Sequence, residues 1–73
     1  MTIWRVTVER TDRASDEFFF AKEELADKFI KGFVFHFCEY EPRYTPDGYS
    51  VDLCDGDLIY ASAYKDEIEV ATE

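Results

Sequence analysis

The 73-residue chain carries eight Lys and Arg against seventeen Asp and Glu, and its net charge of -9 opposes direct binding to phosphate backbones or anionic lipid surfaces. Seven Phe, five Tyr and one Trp, each able to bury roughly 150 to 250 Å², argue for a folded domain and against a disordered acidic tail. At this length a single domain over residues 1–73 is expected, with a core that supplies only about 3 to 5 kcal/mol.

Residues 2–9 alternate, Trp4, Val6 and Val8 on one side and Arg5, Thr7 and Glu9 on the other, the period of a half-buried strand. Residues 10–16 are polar and read as a connection, after which the aromatic run 17–21 suits a pairing strand. Strand neighbours face opposite ways, so Phe18, Phe19 and Phe20 cannot all be inward, and Phe19 is a candidate for exposure.

From Lys22 the period lengthens. Leu25, Ala26, Phe29, Ile30, Phe33 and Phe37 share one helical stripe, and Glu24 with Lys28 and Asp27 with Lys31 are favourable i,i+4 pairs. Gly32 would weaken such a helix or end it, but a helix reaching Phe37 or Cys38 is preferred. Stopping at Gly32 would make a strand of residues 33–37, and the register of the next segment would turn its three Phe outward. Phe35 then lies on the back of the helix, the second exposed-aromatic candidate.

That register rests on two turns. Folding about Thr45-Pro46-Asp47-Gly48 sets Tyr44 against Tyr49, Pro42 against Val51 and Tyr40 against Leu53. Folding about Asp55-Gly56 sets Leu53 against Leu58 and Val51 against Tyr60. Residues 64–70 keep the parity of Ile68 and Val70 and either prolong the last strand or form a separate element. The expected architecture is α+β: an antiparallel sheet of four to five strands with one helix packed on one face, in the order β-β-α-β-β-β.

The face turned from the helix would hold Glu39, Glu41 and Arg43, then Ser50, Asp52 and Cys54, then Asp57, Ile59 and Ala61. Glu41 would lie opposite Asp52 and Cys54 opposite Asp57, and like charges facing across a ladder are destabilising by up to about 1 kcal/mol. Such a broken local rule marks a functional candidate. With Asp47 and Asp55 at the turn tips, the expected partner-binding residues are Glu39, Glu41, Asp47, Asp52, Asp55 and Asp57. Their spacing, about 6.7 Å along a strand and about 4.8 Å between strands, is of the order of nucleic-acid phosphate spacing. The same acids could equally keep an aromatic-rich miniature protein in solution and blunt its sheet edges. Residues 1–37 are net -1 and residues 38–73 net -8, an asymmetry of the kind that marks an interaction surface or a solvated tail.

Other chemistries have less support. Asp52, Asp55 and Asp57 around Gly56 lack the ligand order of an EF-hand loop. One histidine, His36, and two scattered cysteines, Cys38 and Cys54, fall short of a zinc set or a disulfide framework, and His36 is expected on the apolar stripe. No nucleophile-base arrangement or Gly-rich phosphate loop occurs, so no catalytic residues, metal or cofactors are expected. The start Met1-Thr2-Ile3-Trp4-Arg5 has no basic region before an apolar one, and no apolar run approaches ~20 residues. A cytoplasmic protein that touches neither membrane nor naked nucleic acid is therefore expected.

Together these features suggest an inhibitor or regulator that binds a protein partner and occludes its basic, nucleic-acid-binding surface. By analogy of charge and size alone, this is the behaviour of small viral anti-defence and host-takeover proteins. The alternative is a small accessory or assembly subunit, a homodimer included, that associates through exposed aromatics and a free strand edge.

Overall fold

The structure is a computed structural model that describes residues 1–70, and among these it shows the expected α+β order. Strands β1 (Thr2–Arg10) and β2 (Arg13–Phe20) precede helix α1 (Glu23–His36), and β3 (Glu41–Tyr44), β4 (Ser50–Asp55) and β5 (Leu58–Glu69) follow it. All five strands join one antiparallel sheet in the order β2-β1-β5-β4-β3, so the last strand fills the centre beside the first. Residues 65–69 belong to that central strand, and positions 71–73 of the C-terminal segment lie outside the described residues.

Alternation in β1 works as the pattern requires: Val6 and Val8 are buried and Trp4 packs against the core they form with Val51, Leu53, Ala61 and Ala63. From α1, Ala26, Ile30 and Phe33 enter the same core. Burying an aliphatic side chain of this kind contributes about 1.5 to 3 kcal/mol. The helix runs through Gly32 to His36, as the preferred reading has it, and Glu23 and Glu24 in its first turn complement the positive end of its dipole. Lys22 precedes it in extended conformation without a side-chain cap, and Leu25 and Ala26 donate to the Lys22 carbonyl. Leu25 stays exposed, and so does His36, which stands edge-on to Phe37. The expectation of His36 on the apolar stripe is corrected: Phe33 and Phe37 keep that stripe against the core, and His36 lies exposed at its margin.

The first hairpin is tighter than expected, since β2 begins at Arg13, and Arg13 and Asp16 pair with Arg10 and Val8 of β1. Neither Thr11 nor Asp12 has positive φ, so the turn is not of the primed kind that matches strand twist, and a register shift between Val8 and Arg10 takes up the mismatch. Phe18 and Phe20 face the helix and meet Phe29 at centroid distances of 4.6 and 5.5 Å.

Both C-terminal registers differ from the expected ones. The first turn closes at Thr45, whose N–H donates to the Ser50 carbonyl at 3.0 Å, so Tyr44 pairs with Val51 and Pro42 with Leu53. The loop is longer by two residues, which leaves inward and outward faces unchanged and moves every partner. The second turn is a two-residue loop, Gly56-Asp57, with Gly56 at φ +65°, a conformation glycine adopts without strain. Here Cys54 pairs with Ile59, whereas Leu53 pairs with Ala61, and the extra residue, Tyr60, forms a bulge. A one-residue slip reverses every later side chain. Ala61 and Ala63 consequently turn inward, Ser62 and Tyr64 outward, and the expected parity of Ile68 is reversed.

Candidate functional site

The six carboxylates proposed from the sequence do not form one lattice. Glu41 pairs with Cys54 rather than Asp52, and Arg43 is the residue opposite Asp52. Cys54 lies opposite Ile59 rather than Asp57. The expected like-charge pair is thus replaced by an opposite-charge pair, and the destabilisation inferred from it is absent at those positions. Asp52 is half-buried and accepts the Ser62 hydroxyl proton at 2.8 Å, a partner that only the bulge in β5 brings to that face. Its role is to tie β4 to β5.

Asp47 is also structural. Its Oδ1 accepts the Thr45 hydroxyl at 2.5 Å and the Tyr49 N–H at 2.9 Å, closing the turn through its own side chain. These bonds, the Thr45 hydroxyl first, hold the Asp47 carboxyl below its usual range. The turn lies at the Trp4 end of the sheet, where Tyr49 stands edge-on to Trp4 at 6.1 Å.

The other four carboxylates meet at the opposite end. Glu39 lies in the connection leaving α1, Glu41 opens β3, and Asp55 and Asp57 flank Gly56 at the β4–β5 tip. Arg43 ties the two segments together, its Nη2 donating to Glu41 Oε2 and to the Gly56 carbonyl, each at 3.4 Å. On the helix side of that end Tyr40 and Tyr60 stack, ring centroids 4.4 Å apart and planes at 6°. Burial raises the Tyr40 hydroxyl above its ordinary value, and the tyrosine beside it and the charges of Glu39 and Asp55 push it the same way. Glu39 and Asp55 therefore flank a pair of rings, while Glu41, opposite Cys54, lies on the uncovered face, an arrangement charge counting could not reveal.

Around the rings the surface is apolar and open. Leu58 is 73 % and Ile59 49 % exposed, and with Thr11, Asp55 and the two tyrosines they line a groove of about 320 Å³. Phe37 supports the stack from below at 5.6 Å from Tyr60, and the Arg10 guanidinium lies 5.3 Å from the Phe37 centroid. An apolar centre with a charged rim is the anatomy of a protein-binding patch.

Two charge clusters were missed in the sequence. Lys65, only 7 % exposed, projects from the sheet centre to bond Glu23 and Asp27 on α1, with its Nζ 5.6 Å from the Trp4 ring centroid and 5.1 Å from that of Tyr49. Burial pushes its ammonium down, and the hydrogen bonds it donates to Asp27 and Glu23, with their charges, outweigh that and hold it above its usual value. On the uncovered face Arg5 bonds Asp66 through two nitrogens at 3.1 and 2.7 Å and reaches Glu17 at 3.2 Å, bridging three strands. The sequence carried no signal for Lys65: at the parity expected for Ala61 it would face away from the helix, and only the bulge at Tyr60 turns it inward.

Phe19 and Phe35 are exposed as expected, at 58 % and 81 %. They do not form a joint patch, because Phe19 leaves the uncovered sheet face while α1 lies on the other. Cys38 is exposed and Cys54 buried, and both are free. No helix among the described residues is long and apolar enough to cross a membrane. No family model, no curated protein and no solved structure matches the chain.

Proposed function

We propose that the chain is a protein-binding inhibitor or regulator, not an enzyme, and that its β4–β5 end is the contact surface. The observation that carries this reading is the placement of Glu39 and Asp55 beside the Tyr40–Tyr60 stack and exposed Leu58 and Ile59, with Glu41 and Asp57 at the same end of the sheet. Apolar side chains at the centre supply affinity, and the acidic rim supplies orientation and rate by attracting a basic surface. A net charge of -9 extends that attraction over the whole molecule. A partner whose basic surface ordinarily holds nucleic acid would be occluded by it, in the manner of an anti-defence or host-takeover protein.

The test is affinity capture from lysate with three forms of the protein. Asp55→Lys with Asp57→Lys should abolish retention of the partner, whereas Glu24→Lys with Glu67→Lys, the same change in charge elsewhere on the surface, should preserve it. Equal loss in both, or loss in neither, contradicts the reading.

A second reading, a self-associating accessory subunit, draws on the outer edge of β2, which has no strand beside it among the described residues and carries exposed Phe19. Sedimentation at low and high salt separates the two. Apolar self-association persists in high salt, and the acidic binder stays monomeric in both.

A further inference from the structure

The groove at the β4–β5 end has three features that together select one kind of side chain. Leu58 and Ile59 offer exposed aliphatic surface able to cover a methylene stem. Tyr40 and Tyr60 line the same groove with paired aromatic rings, and the aromatic cluster they extend already takes one guanidinium, that of Arg10 over Phe37 at 5.3 Å. Asp55 lines the groove, Glu39 is close enough to act on Tyr40, and neither carboxylate is paired with a cation among the described residues.

From these we infer that the groove is a slot for an arginine side chain projecting from a basic segment of the partner protein. The stem lies along Leu58 and Ile59, the planar guanidinium rests against the tyrosine pair, and its forked N–H groups engage the Asp55 carboxylate. Lysine fits less well, because its ammonium is a compact, strongly hydrated charge that neither stacks nor forks. Charge complementarity decides the occupant: a second copy of a chain at net -9 would be repelled from this rim, and an anionic ligand would be repelled more strongly. The inference rests on the protein-binding reading and narrows it to one recognised residue type.

It is tested by NMR titration of the isotope-labelled full chain at low salt with three short capped peptides. They share a Gly, Ser and Lys sequence and differ at a central residue, which is arginine, lysine or the uncharged isostere citrulline. Saturable amide shifts are expected at Tyr40 and across residues 55–60, with the arginine peptide bound about tenfold more tightly than either counterpart. Asp55→Asn should reduce that preference to near unity. Ile59→Lys, which introduces a cation into the groove, should do the same and guards against misfolding of the first variant. Equal affinity for the arginine and lysine peptides, with shifts spread over all acidic regions, overturns the slot and leaves the protein-binding reading standing. Absence of shifts with every peptide also overturns the slot, and the charge-reversal capture then judges the broader reading independently.

Discussion

The rings of Tyr40 and Tyr60 lie parallel, 4.4 Å between centroids, and so join the connection leaving α1 to the bulge of β5. Stacked aromatic pairs contribute about 0.5 to 1.5 kcal/mol beyond the area they bury. A double-mutant cycle with Tyr40→Leu and Tyr60→Leu, measured by urea denaturation, should return a coupling energy of about 1 kcal/mol. A coupling indistinguishable from zero would mean the pair does not hold the site together.

Lys65 should respond very differently to loss and to reversal of its charge. Glu23 and Asp27 are 45 % and 44 % exposed at their side chains, so they can rehydrate when the ammonium is removed, and Lys65→Met should change stability by no more than about 1 kcal/mol. Lys65→Glu would bury a carboxylate facing two others, at a cost of about 3 to 5 kcal/mol or more, enough to unfold a domain of this size. Circular dichroism at 25 °C should show a folded Lys65→Met and an unfolded Lys65→Glu. Two folded variants would contradict the buried geometry.

The bulge at Tyr60 makes opposite demands on Ala61 and on Ile59. Ala61 is buried against the core while Ile59 is half exposed. Ala61→Asp should therefore cost several kcal/mol, roughly 3 or more, and Ile59→Asp should be nearly neutral for folding. Thermal melts of the two variants check this, and two variants of equal stability would restore the parity in which Ala61 and Ile59 both face solvent.

Stability should fall at both extremes of pH. The Tyr40 hydroxyl and the Lys65 ammonium are both held above their ordinary values of 10.0 and 10.5, so the folded state keeps these protons more tightly than the unfolded chain. Their contribution is complete below those values and is lost as pH rises through the higher folded ones. Asp47 is shifted the other way from 3.8, so its contribution is complete above that value and is lost as pH falls through the lower folded one. Urea titrations should show Asp47→Ala flattening the acid limb alone and Tyr40→Phe weakening the alkaline limb alone. An acid limb unchanged by Asp47→Ala would contradict the turn geometry.

Much of the fold was legible because it depends on local period. The alternation of Trp4, Val6 and Val8 and the stripe of Ala26, Ile30 and Phe33 name their elements and their buried faces without further help. What was not legible depends on one-residue and two-residue differences in pairing. The turn after Tyr44 is fixed by a hydrogen bond from Thr45 to Ser50 that competes with the shorter loop suggested by Pro46 and Gly48. The bulge at Tyr60 leaves no mark in hydropathy, because Ala61 and Ser62 are both small. The site inherited those uncertainties. Asp52 moved from a supposed repulsive pair to a hydrogen bond with Ser62, and Asp47 to a turn cap. The acidity of the β4–β5 tip could be read directly, but the stacking of Tyr40 on Tyr60 needed the three-dimensional register.

Carboxylate labelling tests the central claim most directly. Carbodiimide coupling of an amine to exposed acids, followed by mass spectrometry, compares the chain alone with the chain bound to its captured partner. The account predicts that Glu39, Glu41, Asp55 and Asp57 become protected on binding while Glu24, Asp47 and Glu67 label as before. Protection centred on the helix or on the Asp47 turn, with residues 55–57 still labelled, would contradict it.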